Sequence, residues 1–291
     1  MAGPSDKPIQ SLGEFVNLVR DYRTFWGNEA GQELWFRGES KDYGETKLRP
    51  ELYRPATGRS LLPVDDLLGI EQKLYEEFQR IAVERCGYTS RSEEDWDWDS
   101  YFLMQHHDGP TRLLDWSDGG LMALHFATRN RLDDGKESYV FVLEPYRLID
   151  KLNALPDRQL LEEKWKAYVA KPTAENDDED NWDIVYLPGN AEAAEIDLPS
   201  PPLLLEFPLI TRRFAAQRSR FIAFGSNPRW LADELDKPDS CIKRITIAGD
   251  ARPKIRQELR DCGITESVIY PDLDGLGREM RQLWEDRKSA S

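Results

Sequence analysis

Residues 105–117 read QHHDGPTRLLDWS, and this stretch decides how the middle of the chain folds. The helical pattern that leads up to it ends at Gly109-Pro110, because proline cannot continue a helix. Beyond that break, an apolar run continues to Trp116 as an extended segment. The stretch combines an amide, imidazoles, a guanidinium, a carboxylate and a hydroxyl, which indicates a functional site at this junction.

Two further polar clusters lie on apolar segments, at residues 35–40 (WFRGES) and 212–217 (RRFAAQ). Arg37 ends a predicted strand, where a buried guanidinium is costly unless it is paired. It either forms an internal ion pair with a carboxylate such as Asp115 or binds a phosphate or carboxylate of a ligand. Gly38 leaves room for a ligand or for another backbone to approach closely.

We predict that these distant clusters assemble one cleft, lined by Arg37, His106, Arg112, Asp115 and Gln217. His106 either acts as a general base or hydrogen-bonds a ligand, or it is structural. Asp115 either orients His106 or binds Arg37. If the network is structural, removing Asp115 leaves a buried charge without its partner and destabilises the fold.

Other catalytic signatures are missing from the sequence. No phosphate-binding glycine loop and no Gly-x-Ser-x-Gly turn occur. His106, His107 and Asp108 lack a standard ligand spacing, so no metal is expected. His107 and His125 are interpreted as structural.

Composition limits the class of protein. The 291 residues are 40% hydrophobic and include 9 Trp, which is enough for a sizeable core. The formal net charge of −15 opposes non-specific binding to nucleic acids or anionic membranes. The 3 Cys are widely spaced, the start has no signal-peptide pattern, and no apolar run could span a bilayer. We therefore expect a cytoplasmic protein with reduced thiols and no membrane contact.

Helical and strand patterns mix without a regular strand–helix alternation, which favours an α+β fold with a mixed sheet and flanking helices. We predict one domain over residues 10–288 with a peripheral insertion at about 146–198. Helices are predicted from Leu12, capped by Ser11, and at residues 65–86, 100–107, 121–130, 160–169, 252–262 and 273–288. Strands are predicted at residues 34–38, 138–144, 203–207, 242–248 and 267–270.

The clusters together resemble the FRG domain family, named for its Phe-Arg-Gly motif. Phe36-Arg37-Gly38 matches that motif, and residues 105–117 resemble the family's QHxGxPTRLLDWT stretch. Residues 123–127, 213–221 and 270–276 resemble its ALxFA, RxxxQxGxF and FPDLDGL stretches. Asp108-Gly109 and Ser219 depart from the family pattern, which has Gly-Leu and Gly there. Family members are bacterial and phage-associated, which implies a role in conflict or toxin systems.

A weaker resemblance, at the level of the fold, links the chain to ADP-ribosyltransferases, which implies a split sheet and NAD as substrate. Arg37 would hold the pyrophosphate, Trp116 would stack on nicotinamide, and Gln217 or Glu206 would hold the ribose 2′-hydroxyl. The catalytic set is then Arg37, His106, Asp115 and Gln217. The cofactor-binding set is Arg37, Gly38, Gln105, Thr111, Arg112, Trp116 and Ser117.

Two functions stay open at this point. The first is an ADP-ribosyltransferase-like enzyme that uses NAD and acts on a protein target. The second is a non-catalytic module that binds a nucleotide, another anionic small molecule or a protein, with the Arg, His and Asp side chains forming a structural network.

Overall fold

A six-stranded sheet forms the centre of the computed structural model, which describes residues 4–29, 31–86, 96–129, 135–171, 180–205 and 212–289. The strand order is β4-β5-β2-β1-β3-β6, and the neighbouring strands all pair antiparallel. Among the described residues, one parallel contact occurs, an isolated bridge between Ile9 and Ile247. The strands are β1 (Trp35–Glu39), β2 (Leu113–Ser117), β3 (Ser138–Leu143), β4 (Leu203–Leu205), β5 (Ser219–Ala223) and β6 (Ile242–Ile247).

Helices flank this sheet, which confirms the predicted α+β class. They are α1 (Leu12–Trp26), α2 (Val64–Cys86), α3 (Trp96–His106), α4 (Gly120–Thr128), α5 (Pro145–Asn153), α6 (Pro156–Val169), α7 (Asn190–Ala193), α8 (Arg212–Gln217), α9 (Trp230–Leu235), α10 (Arg252–Asp261), α11 (Glu266–Ile269) and α12 (Leu273–Ser289). Short 3₁₀ turns occur at Gly44–Thr46, Glu51–Tyr53, Trp182–Tyr186 and Gly249–Ala251. None of the described helices combines the length and apolarity that crossing a bilayer requires.

The cap of α1 follows from the sequence. Ser11 Oγ accepts a hydrogen bond from the Glu14 backbone N–H at 3.3 Å. The Glu14 carboxylate in turn accepts from the Gln10 backbone N–H at 2.8 Å, one residue earlier than in the usual capping box. Four large side chains of α1, including Phe15 and Trp26, are buried against the sheet.

The predicted strand at residues 267–270 is wrong, because this segment forms the helix α11. Glu266 and Ile269 are both buried and lie three positions apart, so one helical turn directs both side chains inward. A short apolar run does not distinguish a strand from one turn of helix.

Three apolar clusters fill the two faces of the sheet. On one face, α1, α4 and α10 pack over β1, β3 and β6, while α3 and α6 pack over β2 and β5. The opposite face buries Trp35, Trp116, Phe141 and Ile222 in a third cluster. Alternation along each strand assigns its side chains to these faces. The cluster under α1, α4 and α10 and the cluster under α3 and α6 lie on the same face of the sheet. The boundary between them falls between β1 and β2, where these two strands separate.

The described part of the segment at residues 146–198, predicted as a peripheral insertion, packs over β2 and β5. Trp165 and Tyr186 from this segment are buried in the cluster over β2 and β5. The Tyr186 backbone carbonyl also accepts a hydrogen bond from Arg112 Nη2 at 2.6 Å. The single-domain boundaries at residues 10–288 stay a prediction.

Candidate functional site

The site lies where β1 and β2 diverge. These neighbours share one register pair, Phe36 with Ser117, whereas the other neighbouring strands share three to six. A cleft of about 290 Å³ opens at this fork. Its walls come from β1, β2, α3, α4, α8 and the residues after α11. Among the predicted site residues, those lining the cleft are Arg37, Gly38, Gln105, His106, Asp115, Trp116, Ser117 and Gln217.

Arg37 bridges the fork. Its Nη1 donates a hydrogen bond of 2.7 Å to the backbone carbonyl of Asp115 on the diverging strand. Its Nε lies 3.5 Å from Oε1 of Glu39, a carboxylate that is almost fully buried. Arg37 therefore meets Asp115 through the backbone, and its ion-pair partner is Glu39.

Asp115 presents its carboxylate to solvent rather than burying it. Oδ2 accepts a hydrogen bond from Gln105 Nε2 at 2.9 Å. Gln105 is held from beneath by the buried Thr111, whose hydroxyl donates to Gln105 Oε1. Thr111 therefore positions the site without lining the cleft, and Asp115 itself is exposed.

Arg54 is a cleft residue that sequence reasoning missed. Its Nη2 lies 3.9 Å from the same Glu39 carboxylate, and its Cζ lies 4.6 Å from the ring centre of Tyr43. Burial, together with the nearby charge of Arg37, lowers the pKa of Arg54. One buried carboxylate therefore faces two guanidiniums, which leaves positive charge at this end of the cleft. The sequence around Arg54 contains several prolines and no apolar periodicity. It therefore predicts only an irregular connection and does not mark Arg54 as a site residue.

His106 lies at the end of α3 and is half-buried. Burial, with a further contribution from Arg213, lowers the pKa of His106 to about 4. Arg213 reaches this residue directly, because its Nη1 donates to the His106 carbonyl at 3.3 Å. The imidazole is neutral at pH 7, and its low basicity favours hydrogen bonding to a ligand over general-base catalysis.

Gln217 reaches the cleft from the end of α8. Its backbone carbonyl accepts a hydrogen bond of 2.7 Å from Ser117 Oγ, which also accepts from the Gly119 N–H. Its side-chain Nε2 is buried and has no hydrogen-bond partner among the described residues. A buried amide donor without a partner in a cleft wall is suited to a ligand acceptor. Glu206, the alternative to Gln217 in the sequence, lies outside the described residues.

Arg112 is not part of the cleft, which corrects the prediction. It is 2% exposed, and its Nε lies 2.6 Å from Glu71 Oε2 on α2. Its Nη1 donates to the Phe224 carbonyl at 2.8 Å, and Nη2 donates to the Tyr186 carbonyl. The Glu71 carboxylate also accepts from the Tyr101 hydroxyl and from the Arg112 backbone N–H. Arg112 thus ties α2, β2, β5 and the segment at residues 146–198 together.

Gly38 and Trp116 line the cleft, but packing explains both residues. A Cβ at Gly38 would lie 2.0 Å from the Ala123 carbonyl oxygen, so the backbone of α4 occupies the space beside the glycine. Trp116 is 3% exposed and packs in the cluster on the opposite face of the sheet. The partly exposed rings in the cleft are those of Tyr43, Phe126 and Tyr270.

A second pair of arginines lines the other rim of the cleft, around Tyr270. Arg129 Nη1 donates to the Tyr270 hydroxyl at 3.0 Å, and Arg213 Cζ lies 4.9 Å from the centre of the same ring. The cleft thus contains four arginines against three carboxylates, in a chain whose net charge is −15. The four arginines are Arg37, Arg54, Arg129 and Arg213, and the carboxylates are Glu39, Asp108 and Asp115. Across the described parts of the chain, no group of three or more His, Cys, Asp or Glu could hold a metal ion.

Comparison with known proteins identifies one domain. Residues 32–136 match the family model of the FRG domain. The matched part contains β1, β2, α4 and residues 105–117, and thus Arg37, His106 and Asp115. No curated protein and no solved structure matches the chain.

Proposed function

We propose that the cleft at the fork binds a dinucleotide such as NAD and that the protein transfers ADP-ribose from it to an acceptor. The observation that carries this proposal is the pair Arg37 and Arg54, which share one buried carboxylate in a cleft that also holds His106, Asp115 and Gln217. The resemblance to ADP-ribosyltransferases rests on the chain order of Arg37-Gly38, then Trp116-Ser117 with residues 123–127, and then Gln217 or Glu206.

The diphosphate is assigned to Arg37 and Arg54. Two guanidiniums against one carboxylate leave a net positive charge, and their planar forks suit phosphate oxygens. Arg37 is already oriented by the Asp115 carbonyl and by Glu39, so it loses little side-chain freedom on binding. Tyr43 beside Arg54 offers a ring on which a base could stack.

The chemical step breaks the bond between ribose C1′ and the nicotinamide nitrogen. Nicotinamide leaves with the bonding electron pair, positive charge develops on the ribose, and an acceptor nucleophile bonds to C1′ as its proton passes to solvent. The exposed carboxylate of Asp115, held by Gln105, provides negative charge for that transition state. The Gln217 amide donates to a ribose hydroxyl, and neutral His106 hydrogen-bonds the ligand.

The alternative is a nucleotide-binding module without catalysis. It is favoured by the fact that Arg37 already has two partners within the protein, as a purely structural residue would. In that case the cleft binds a nucleotide or another anionic small molecule and leaves its bonds intact.

The biological role is part of the same proposal. The match of residues 32–136 to the FRG domain model supports the presence of that domain and no particular role. The resemblance to bacterial and phage-associated members suggests a conflict or toxin function. The acceptor would then be a protein of the target cell.

One experiment separates these functions. The protein is incubated with adenylate-labelled NAD and cell extract, and released nicotinamide and transferred label are both measured. We expect Arg37→Ala to lower the rate at sub-saturating NAD by about 10- to 100-fold, because the diphosphate loses one charged hydrogen bond. Arg80→Ala, an exposed arginine of α2, is the matched control and retains wild-type activity.

The outcomes assign the function. NAD that binds in calorimetry without any nicotinamide release indicates the non-catalytic module. Neither binding nor release by the wild-type protein would falsify the dinucleotide proposal.

A further inference from the structure

Tyr270 brings together two arginines that have no counter-ion among the described residues. Arg129 hydrogen-bonds its hydroxyl and Arg213 lies against its ring, and both line the cleft. Arg129 also lies over the Phe126 ring, at 5.1 Å from its centre. In the part of the chain that the structure describes, no carboxylate forms an ion pair with either guanidinium. Two positive charges held by one phenol ring repel each other unless an anion lies between them.

A third arginine on the same ring shows the contrast. Arg278 Cζ lies 4.3 Å from the centre of the Tyr270 ring, but its Nε lies 3.2 Å from Glu266 Oε2. Arg278 is therefore neutralised within the protein and does not line the cleft. Of the three arginines on this ring, the two that face the cleft are those without a counter-ion in the described part of the chain.

This rim is separate from the Arg37 and Arg54 end. From Arg37 and Arg54, the cleft continues into a hollow lined by Arg49 and Leu113. From Arg213, it continues into a hollow lined by Pro271 and Leu273. The linings of these two hollows have no residue in common, so the cationic groups occupy different ends of one cleft.

We propose that Arg129, Arg213 and Tyr270 form a second phosphate subsite, which takes a phosphate monoester. This inference rests on the proposed function and names its substrate class. The ligand carries a phosphate group separate from its diphosphate, as a 2′-phosphorylated dinucleotide such as NADP does.

The chemistry of the rim fits a phosphate monoester. At pH 7 such a group carries close to two negative charges and three acceptor oxygens. Arg129 and Arg213 supply charge and N–H donors. The Tyr270 hydroxyl accepts from Arg129, and within the described chain no acceptor takes its proton, so that proton can be donated to the phosphate.

Calorimetric titration with NAD and with NADP tests the subsite. We expect NADP to bind the wild-type protein about tenfold more tightly, the ratio expected from one net charged hydrogen bond. Arg129→Gln and Arg213→Gln should each reduce NADP binding toward the NAD level, with NAD binding retained. Arg278→Gln, which removes a guanidinium from the same ring outside the cleft, should keep the preference for NADP.

Three results would overturn the subsite: equal affinities for NAD and NADP in the wild-type protein, a preference that survives in the Arg129 and Arg213 variants, or a preference that is lost in Arg278→Gln. Equal, measurable affinities leave the dinucleotide proposal standing. Near-ultraviolet circular dichroism checks that each variant is folded.

If neither dinucleotide binds, the dinucleotide proposal fails, and titration with adenosine 2′-monophosphate against adenosine decides the subsite. Binding of the phosphorylated nucleoside alone, lost in Arg129→Gln and kept in Arg278→Gln, supports the subsite independently. No difference between the two nucleosides overturns it.

Discussion

Arg112 and Asp115 lie three positions apart and have opposite environments. Arg112 is buried in an ion pair with Glu71, whereas Asp115 faces solvent. We expect Arg112→Ala to lower the free energy of unfolding by about 3–5 kcal/mol, because it leaves the Glu71 carboxylate buried without its partner. Asp115→Ala should change stability little. Urea unfolding measures both.

The exposed pair of Arg80 and Glu77 provides the control for Arg112. Its guanidinium is solvated, so Arg80→Ala should leave the urea midpoint unchanged. A midpoint for Arg112→Ala that is close to the wild type would contradict the structural role of this arginine.

His106 makes stability depend on pH. Burial, with Arg213, lowers its pKa in the folded protein to about 4, below the ordinary value of 6.5. Between these values the unfolded chain binds a proton that the folded chain does not, so stability falls as the pH drops from 6.5 to 4. We expect His106→Gln to flatten that part of the stability curve, measured by urea unfolding at several pH values. An unchanged slope in the variant would exclude His106 as the source.

Part of this residue-scale chemistry could be predicted from the sequence. Arg37, His106, Asp115 and Gln217 stood out as polar groups on apolar segments, and the fold brings them to one cleft. The role of Arg112 was missed because its partner, Glu71, lies 41 positions earlier in the chain, on α2. Glu71 provided a signal, since it falls four positions from both Leu67 and Tyr75 on the buried face of α2.

At the scale of elements, the contact between β1 and α4 depends on Gly38. We expect Gly38→Ala to destabilise the protein by about 1–3 kcal/mol, because the new methyl group would overlap the Ala123 carbonyl. The contact is to backbone, so a side-chain rotation cannot relieve it. The melting temperature and the affinity for nucleotide should both fall, since β1 also carries Arg37.

Gly69, within α2, is the matched control for Gly38. Nothing lies within 4 Å of a Cβ added there, so Gly69→Ala should raise stability by about 0.5–1 kcal/mol through helix propensity. Equal effects of the two substitutions would show that propensity, not the close approach of α4, governs Gly38.

Long amphipathic elements were predictable, and short ones were not. The apolar periodicity and the capping residues placed α1 and α2 near their observed bounds. α11 was assigned as a strand, because four residues show no period. Local patterns identify an element only when it has enough turns to repeat them.

At the scale of the whole molecule, the sheet joins distant parts of the chain. β3 pairs with β6, and β2 pairs with β5, across the segment at residues 146–198. Cutting the chain within that segment would separate these paired strands. We therefore expect one cooperative unfolding transition, and limited proteolysis should yield no independently stable halves. Two resolved calorimetric transitions would contradict a single domain.

The fork itself could not be predicted from the sequence. Strand order and register depend on long-range pairing, which local patterns do not encode. The net charge of −15 correctly describes the chain as a whole but conceals a cleft with four arginines. The Tyr270 rim combines the residue after α4, a residue of α8 and the residue after α11. These residues are far apart in the chain, so no local sequence pattern predicts the rim.

The single strand pair between Phe36 and Ser117 also has a mechanical consequence. It divides the sheet into two halves, β4-β5-β2 and β1-β3-β6, which are joined only between β2 and β1. Where β1 and β2 diverge, Arg37 links the two halves by donating a hydrogen bond to the Asp115 carbonyl. A ligand bound by groups of both halves would restrict their relative motion. Its binding should therefore slow amide deuterium uptake at residues 37–39 and 113–115 together, while uptake in the outer strands stays unchanged.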